Sequence, residues 1–154
     1  MLTFEPLCHR RELRPLISDW LRTEWPAWYG VDGPGDVARD VDAFAADLTT
    51  LPIGLVVFCN GVPVGFGALK KESIASHRHL SPWAAAGYVL PAHRRRGIGA
   101  ELLRALVELG AKLGFERIYC ATATAASLME RSGWVLQEEI IHAGAPLRIY
   151  WRST

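Results

Sequence analysis

The sequence predicts an α/β (α+β) domain: one mixed, twisted, mostly antiparallel sheet of about seven strands, with helices on both faces. Three observations carry this. The apolar run Gly54–Cys59 and the alternating Val62, Val64, Phe66 and Ala68 flank Asn60-Gly61, a strong signal for a two-residue hairpin turn. A strand-like run from Trp83 to Leu90, a helical run from Ile98 and a second strand-like run from Phe115 to Thr122 follow one another, which implies a right-handed crossover between two parallel strands. A second hairpin, Val135–His142 and Leu147–Trp151 about a turn containing Gly144, closes the sequence.

The remaining elements follow in order. Leu2–Pro6 reads as an edge strand. A helix with Leu13, Leu16, Ile17, Trp20 and Leu21 on one face carries Pro15 in its first turn and ends before Pro26. Asp36 is placed to cap a second helix whose apolar face is Val37, Val41, Phe44, Ala45 and Leu48, ending near Thr50. After Gly97 the positions Ile98, Leu102, Leu106, Leu109 and Leu113 recur at helical spacing, with Glu101, Arg104, Glu108 and Lys112 opposite them and Gly114 as the stop. Thr124 is suited to cap a short helix to Ser132, closed by Gly133, with Trp134 opening the next strand.

Composition narrows the function. The 154 residues fit one domain, 1–154, and the 50% hydrophobic and 21% charged content is that of a globular chain. A net charge of +1 offers no global field for nucleic acid, so no nucleic-acid partner is expected. The apolar stretches are too short to cross a bilayer and Met1–Arg14 has no signal-peptide plan, so the expectation is a cytoplasmic protein with no membrane partner, monomeric or homodimeric. Cys8, Cys59 and Cys120 are odd in number and lack metal-ligand spacing, which suggests a reducing compartment and no metal.

The chemistry concentrates in Tyr88-Val89-Leu90-Pro91-Ala92-His93-Arg94-Arg95-Arg96-Gly97-Ile98-Gly99-Ala100. Pro91 ends a strand, since it cannot donate to a ladder, and Gly97 and Gly99 open a helix. The first helical turn presents unpaired N–H groups and partial positive charge, glycines admit a phosphate without a Cβ, and three arginines add forked donors. A diphosphate is the natural guest. The nucleotide loop ending Gly-Lys-Ser/Thr is absent, and the dinucleotide fingerprint fails because its third glycine position is Leu102.

Val89-x-Pro91-x-x-Arg94-x-x-Gly97-x-Gly99, between a strand and a helix, resembles the acyl-coenzyme A signature of the GNAT superfamily of N-acetyltransferases. Leu128-Met129-Glu130-Arg131-Ser132-Gly133-Trp134 resembles the late helix of that family, which ends Leu-Tyr-Glu-Lys-Leu-Gly-Phe. The resemblance implies the GNAT fold, with its central parallel pair splayed apart, and acetyl-coenzyme A as co-substrate. It places the pyrophosphate on Arg94, Arg95, Arg96, Gly97, Ile98, Gly99 and Ala100, and the pantetheine along Tyr88, Val89 and Leu90. A free N–H at Val89 or Leu90 would polarise the thioester carbonyl.

The resemblance further implies a small-molecule or peptide amine as acceptor, which must lose a proton before it attacks. Glu72, His79 and Tyr88 are the candidate acid/base residues, His79 having the most suitable ordinary pKa. The aromatic loop from Trp25 to Gly35 is either pinned to the core or forms an acceptor wall; on the second reading Trp28, Tyr29 and Trp83 contact the acceptor. Met129 stands where the family commonly carries a proton-donating tyrosine, and an asparagine often found before that helix is replaced near Thr122. The alternative to an enzyme is a non-catalytic acyl-coenzyme A sensing domain.

Overall fold

The computed structural model describes residues 1–154. Its strands are β1 (Leu2–Pro6), β2 (Ile53–Cys59), β3 (Val62–Lys70), β4 (Trp83–Val89), β5 (Arg117–Thr122), β6 (Val135–His142) and β7 (Ala145–Ser153). They form one seven-stranded sheet in the order β1-β2-β3-β4-β5-β7-β6, antiparallel at every junction except β4–β5. The β2–β3 turn is made by Asn60 (φ 51°) and Gly61 (φ 83°), the pair of positive φ values that matches the twist of a hairpin.

The helices are α1 (Arg14–Glu24), α2 (Pro26–Tyr29), α3 (Val37–Phe44), α4 (Ile98–Lys112) and α5 (Ala126–Arg131). Pro15 lies in the first turn of α1, where its missing N–H costs nothing. The Asp36 carboxylate caps α3 by accepting from the Arg39 N–H at 3.0 Å. This helix stops at Phe44 rather than near Thr50, because Asp47 Oδ1 accepts from the Thr49 and Thr50 amides, each at 2.8 Å, and turns the chain. The strand β5 starts at Arg117 rather than Phe115, after a left-handed Gly114 (φ 90°) ends α4.

Alternation along the strands divides the core. On one face Leu55, Val57, Val64, Ala84, Ile118 and Tyr150 meet Leu102, Leu106 and Met129 in a single layer that runs unbroken under α4 and α5. On the other face, Val56, Phe58, Phe66 and Tyr88 meet Ile17, Trp20, Leu21 and Phe44 of α1 and α3. Trp83, Tyr119, Ile149 and Ile74 form a separate patch there. Each fully buried side chain of this size contributes roughly 1.5–3 kcal/mol by leaving water. The second face is split between β4 and β5, and that split positions the site.

The loop after β5 is tied by Thr122, whose Oγ1 accepts from the Ala125 amide at 2.9 Å and the Thr124 amide at 3.2 Å; α5 has no side-chain cap, so Thr124 does not cap it and the Thr122 hydroxyl holds the turn that leads into it. Thr122→Ala is expected to cost about 1 kcal/mol through the lost turn hydrogen bonds, read as a fall in the thermal unfolding midpoint by circular dichroism.

Candidate active site

β4 and β5 share one rung of ladder, Trp83 opposite Tyr119, with the Tyr119 N–H donating to Pro82 O at 2.9 Å. Beyond it the strands part. The cause lies in β4, where the register against β3 shifts between Phe66 and Ala68 and Ala86 takes φ 55°. A bulge of this kind increases local twist and swings a strand out of its ladder. Gly87, in the middle of a central strand, is consequently exposed, and a Cβ built on it meets nothing within 4 Å.

Sequence reasoning passed over Ala86 and Gly87. The available signal was the run Ala84-Ala85-Ala86-Gly87, four small residues inside a strand bounded by Trp83 and Tyr88. A glycine within a strand marks a bulge or a close approach by another chain or ligand.

One expected contact is corrected. The Leu90 N–H donates to Val64 O at 2.9 Å, so it belongs to the β3 ladder and is not free. Strand alternation then turns the backbone groups of Gly87 and Val89 toward the opening. The Val89 carbonyl is on that side and accepts from Arg94 Nε at 2.8 Å.

At the mouth of the opening, Pro91–His93 forms a single turn, Arg95 (φ 64°) and Gly97 (φ 81°) are left-handed, and α4 begins at Ile98. The first backbone bond into α4 runs from the Glu101 N–H to Gly97 O at 3.1 Å, so the amides from Arg95 to Ala100 have no backbone partner. Successive free amides at alternating backbone conformations form an anion-binding concavity, reinforced by the positive end of a fifteen-residue helix. Arg95 and Arg96 are exposed and make no ion pair, whereas Arg94 is committed. Besides Val89 O it reaches Glu24 Oε2 at 3.4 Å and lies 5.5 Å over the Tyr88 ring. Arg94→Ala is expected to loosen the loop, costing about 1 kcal/mol of stability from the lost hydrogen bond and weakening coenzyme A binding measured by calorimetry.

The split second face lies over the same opening. Its near wall is Tyr88, packed on Trp20 at 5.5 Å, with the end of α1 beside it, where Glu24 meets Arg94. Trp25 and Trp28 follow, 36% and 53% exposed. Tyr29 is a pin: its hydroxyl donates to Asp40 Oδ2 at 2.7 Å, and burial, then Asp40, hold it protonated well above the ordinary range. The far wall is the Ile74, Ile149 and Ala121 side of the sheet, where His77 Nε2 lies 2.6 Å from Glu138 Oε1 and its Nδ1 lies 2.7 Å from Ser76 Oγ.

Three other expected site residues are separated from the loop. Trp83 is fully buried against Tyr119, its Nε1–H donating to Leu80 O at 2.7 Å, so it closes the narrow end of the opening and cannot form an acceptor wall. Glu72 and His79 precede β4 at that same end, roughly 20 Å from the loop by strand rise. Both are exposed; Glu72 pairs with Arg78 at 3.7 Å and His79 stacks on His77 at 5.6 Å. Met129 is buried under α5. The Cys120 thiol is pushed up to about 12 by burial, which keeps it protonated.

A mixed sheet opened at its one parallel junction, with free amides and arginines at the mouth, offers room between two strands and anion-binding groups at their end. Residues 15–134 match the profile of the acetyltransferase (GNAT) family, and the chain belongs to that family. Solved structures share its fold. An aminoglycoside 6'-N-acetyltransferase complexed with coenzyme A is 15% identical, with a TM-score of 0.78 over 98% of this chain and 96% of the other. The aminoglycoside 6'-N-acetyltransferase from Enterococcus faecium is 16% identical, TM-score 0.75, over 99% and 96%. A putative acetyltransferase from Salmonella typhimurium with its cofactor acetyl-CoA is 18% identical, TM-score 0.70, over 99% and 93%. No protein of curated function matches significantly.

Proposed function

We propose that this protein is an acetyl-coenzyme A-dependent N-acetyltransferase that moves an acetyl group to a primary amine by direct attack within one ternary complex. The observation that carries the reading is the opening beyond the Trp83–Tyr119 rung, with exposed Gly87 inside it and the unpartnered amides Arg95–Ala100 at its mouth. When bound, acetyl-coenzyme A supplies an activated acyl group and a thiol leaving group.

The chain's own residues have distinct tasks. The amides from Arg95 to Ala100, with the free guanidinium groups of Arg95 and Arg96, hold the diphosphate. Arg94 fixes the loop to β4 and α1. The backbone of Gly87 and Val89 offers an added-strand edge to the pantetheine amides, and an N–H there polarises a carbonyl oxygen. Direct transfer is supported by Cys120, the thiol of β5, which stays protonated and is a poor nucleophile.

A sensing role is the second reading, favoured by Met129, which offers no hydroxyl proton. The two part in one assay, acetyl-coenzyme A with a broad panel of amines. Transfer releases free thiol and N-acetylated amine one for one; binding of acetyl-coenzyme A with no thiol release from any amine identifies a sensor. A cytoplasmic location belongs to the same proposal; no helix is long and apolar enough to cross a membrane.

A further inference from the structure

We infer that Ser76, His77 and Glu138 form a second reactive centre, a serine nucleophile with its own base, which attacks small activated carboxylic esters independently of the β4–β5 opening. This activity goes beyond the acetyltransferase reading and does not depend on it.

The connector between β3 and β4 brings the three groups into line. Ile74 is buried with Trp83, Tyr119 and Ile149, and the His77 N–H donates to Ile74 O at 2.9 Å, so the single turn Ala75–His77 is pinned to the sheet. From that turn the imidazole reaches β6, where its Nε2 lies 2.6 Å from Glu138 Oε1, while its Nδ1 lies 2.7 Å from Ser76 Oγ. His79 stacks on the same ring, 5.6 Å away and 28° from parallel. A hydroxyl within hydrogen-bond reach of a base that a third group orients is the geometric signature of an activated nucleophile, whatever the order of the residues in the chain.

The role of each group follows from what it can donate or accept. The Glu138 carboxylate only accepts, so it fixes the ring proton on Nε2. The Nδ1 lone pair is then left facing the serine O–H. The imidazole is largely covered, its side chain 12% exposed, whereas Ser76 is open to solvent. The reactive oxygen is accessible and its base is sheltered. The same turn carries two N–H donors with no partner within the protein, those of Arg78 and His79, the type of group that stabilises an oxyanion.

Glu138 lies on β6, with β7 between it and β5, about 10 Å outward from the strand that borders the opening. An open turn suits a small ester whose reactivity resides in its leaving group. Ser76 Oγ bonds to the acyl carbon as the bond from that carbon to the leaving oxygen breaks, and the serine proton passes through His77 to the departing oxygen. Water then attacks the acyl-serine by the same route, releasing the carboxylic acid and restoring the hydroxyl.

The test is labelling of the full chain with a fluorophosphonate, mapped by peptide mass spectrometry, alongside hydrolysis of para-nitrophenyl acetate. Ser76 should carry the label, and Ser76→Ala should remove both the label and the hydrolysis while leaving the thermal midpoint unchanged. His77→Gln should slow labelling about 100-fold or more. Glu138 is a positioning residue: in Glu138→Gln the amide can donate to Nε2 and move the ring proton to Nδ1, which should slow labelling about tenfold or more and exchange the nitrogen NMR shifts of one His77 tautomer for those of the other. Saturating coenzyme A should change none of these rates. A Ser76 that stays unlabelled, or that labels as fast in the His77→Gln protein, overturns the inference. Labelling blocked by coenzyme A would put the serine within the opening and overturn the separate centre.

Discussion

Gly87→Val is expected to leave the protein folded while abolishing turnover. The position tolerates a side chain in the free protein: a Cβ there has no neighbour within 4 Å, and Gly87 does not hold a left-handed φ. Valine is also the better strand former, by up to about 1 kcal/mol, so the thermal midpoint should hold or rise. Yet a branched side chain fills the gap through which the pantetheine chain must reach the β4 backbone. Acetyl-coenzyme A binding by calorimetry should weaken about 100-fold or more, equivalent to about 2.7 kcal/mol. Unchanged affinity would move the ligand out of this opening.

Gly97→Asp should eliminate binding for a different reason, and Gly97→Asn isolates it. Gly97 is left-handed (φ 81°), so both substitutions carry a similar backbone cost of about 1–2 kcal/mol. They have nearly the same shape, and Asn and Asp tolerate this conformation better than other residues. Only aspartate brings a negative charge to the helix terminus. Two unit charges about 4 Å apart interact by about 4 kcal/mol at the dielectric of a protein surface, reduced by salt. Coenzyme A affinity should therefore be about 10- to 100-fold lower in the aspartate variant than in the asparagine variant, and the difference should shrink at high salt. Without ligand the aspartate variant should be the more stable of the two, since the positive helix end favours it.

These two glycines differ in how far the sequence disclosed them. Gly97 belongs to a local pattern, in which a proline stop, arginines and a helical period all lie within one short stretch. The seven strands were legible for the same reason, through Asn60-Gly61, the Gly144 turn and the crossover through α4. Gly87 carries its meaning through partners remote in sequence: the opening exists because β3 pairs with β4 out of register and β5 stays with β7. Trp83 lies deeper than its sequence context suggests on similar grounds. Its neighbours in sequence are a polar connector, whereas its neighbours in space are Tyr119 and Ile149, which register alone brings beneath it. Leu90 looked available at a strand end until Val64 claimed its amide. Thr124 and Thr122 offer the same hydroxyl two residues apart, and the tight turn after β5 chose the earlier one.

The most direct measurement is an amide NMR titration of the protein with coenzyme A. Saturable shifts at Gly87, Val89 and Arg95 to Ala100, with Leu90 remaining protected from exchange by its bond to Val64, are the predicted result. Saturable shifts that spare these amides, or none at all, would contradict the assignment of the β4–β5 opening as the acyl-coenzyme A site.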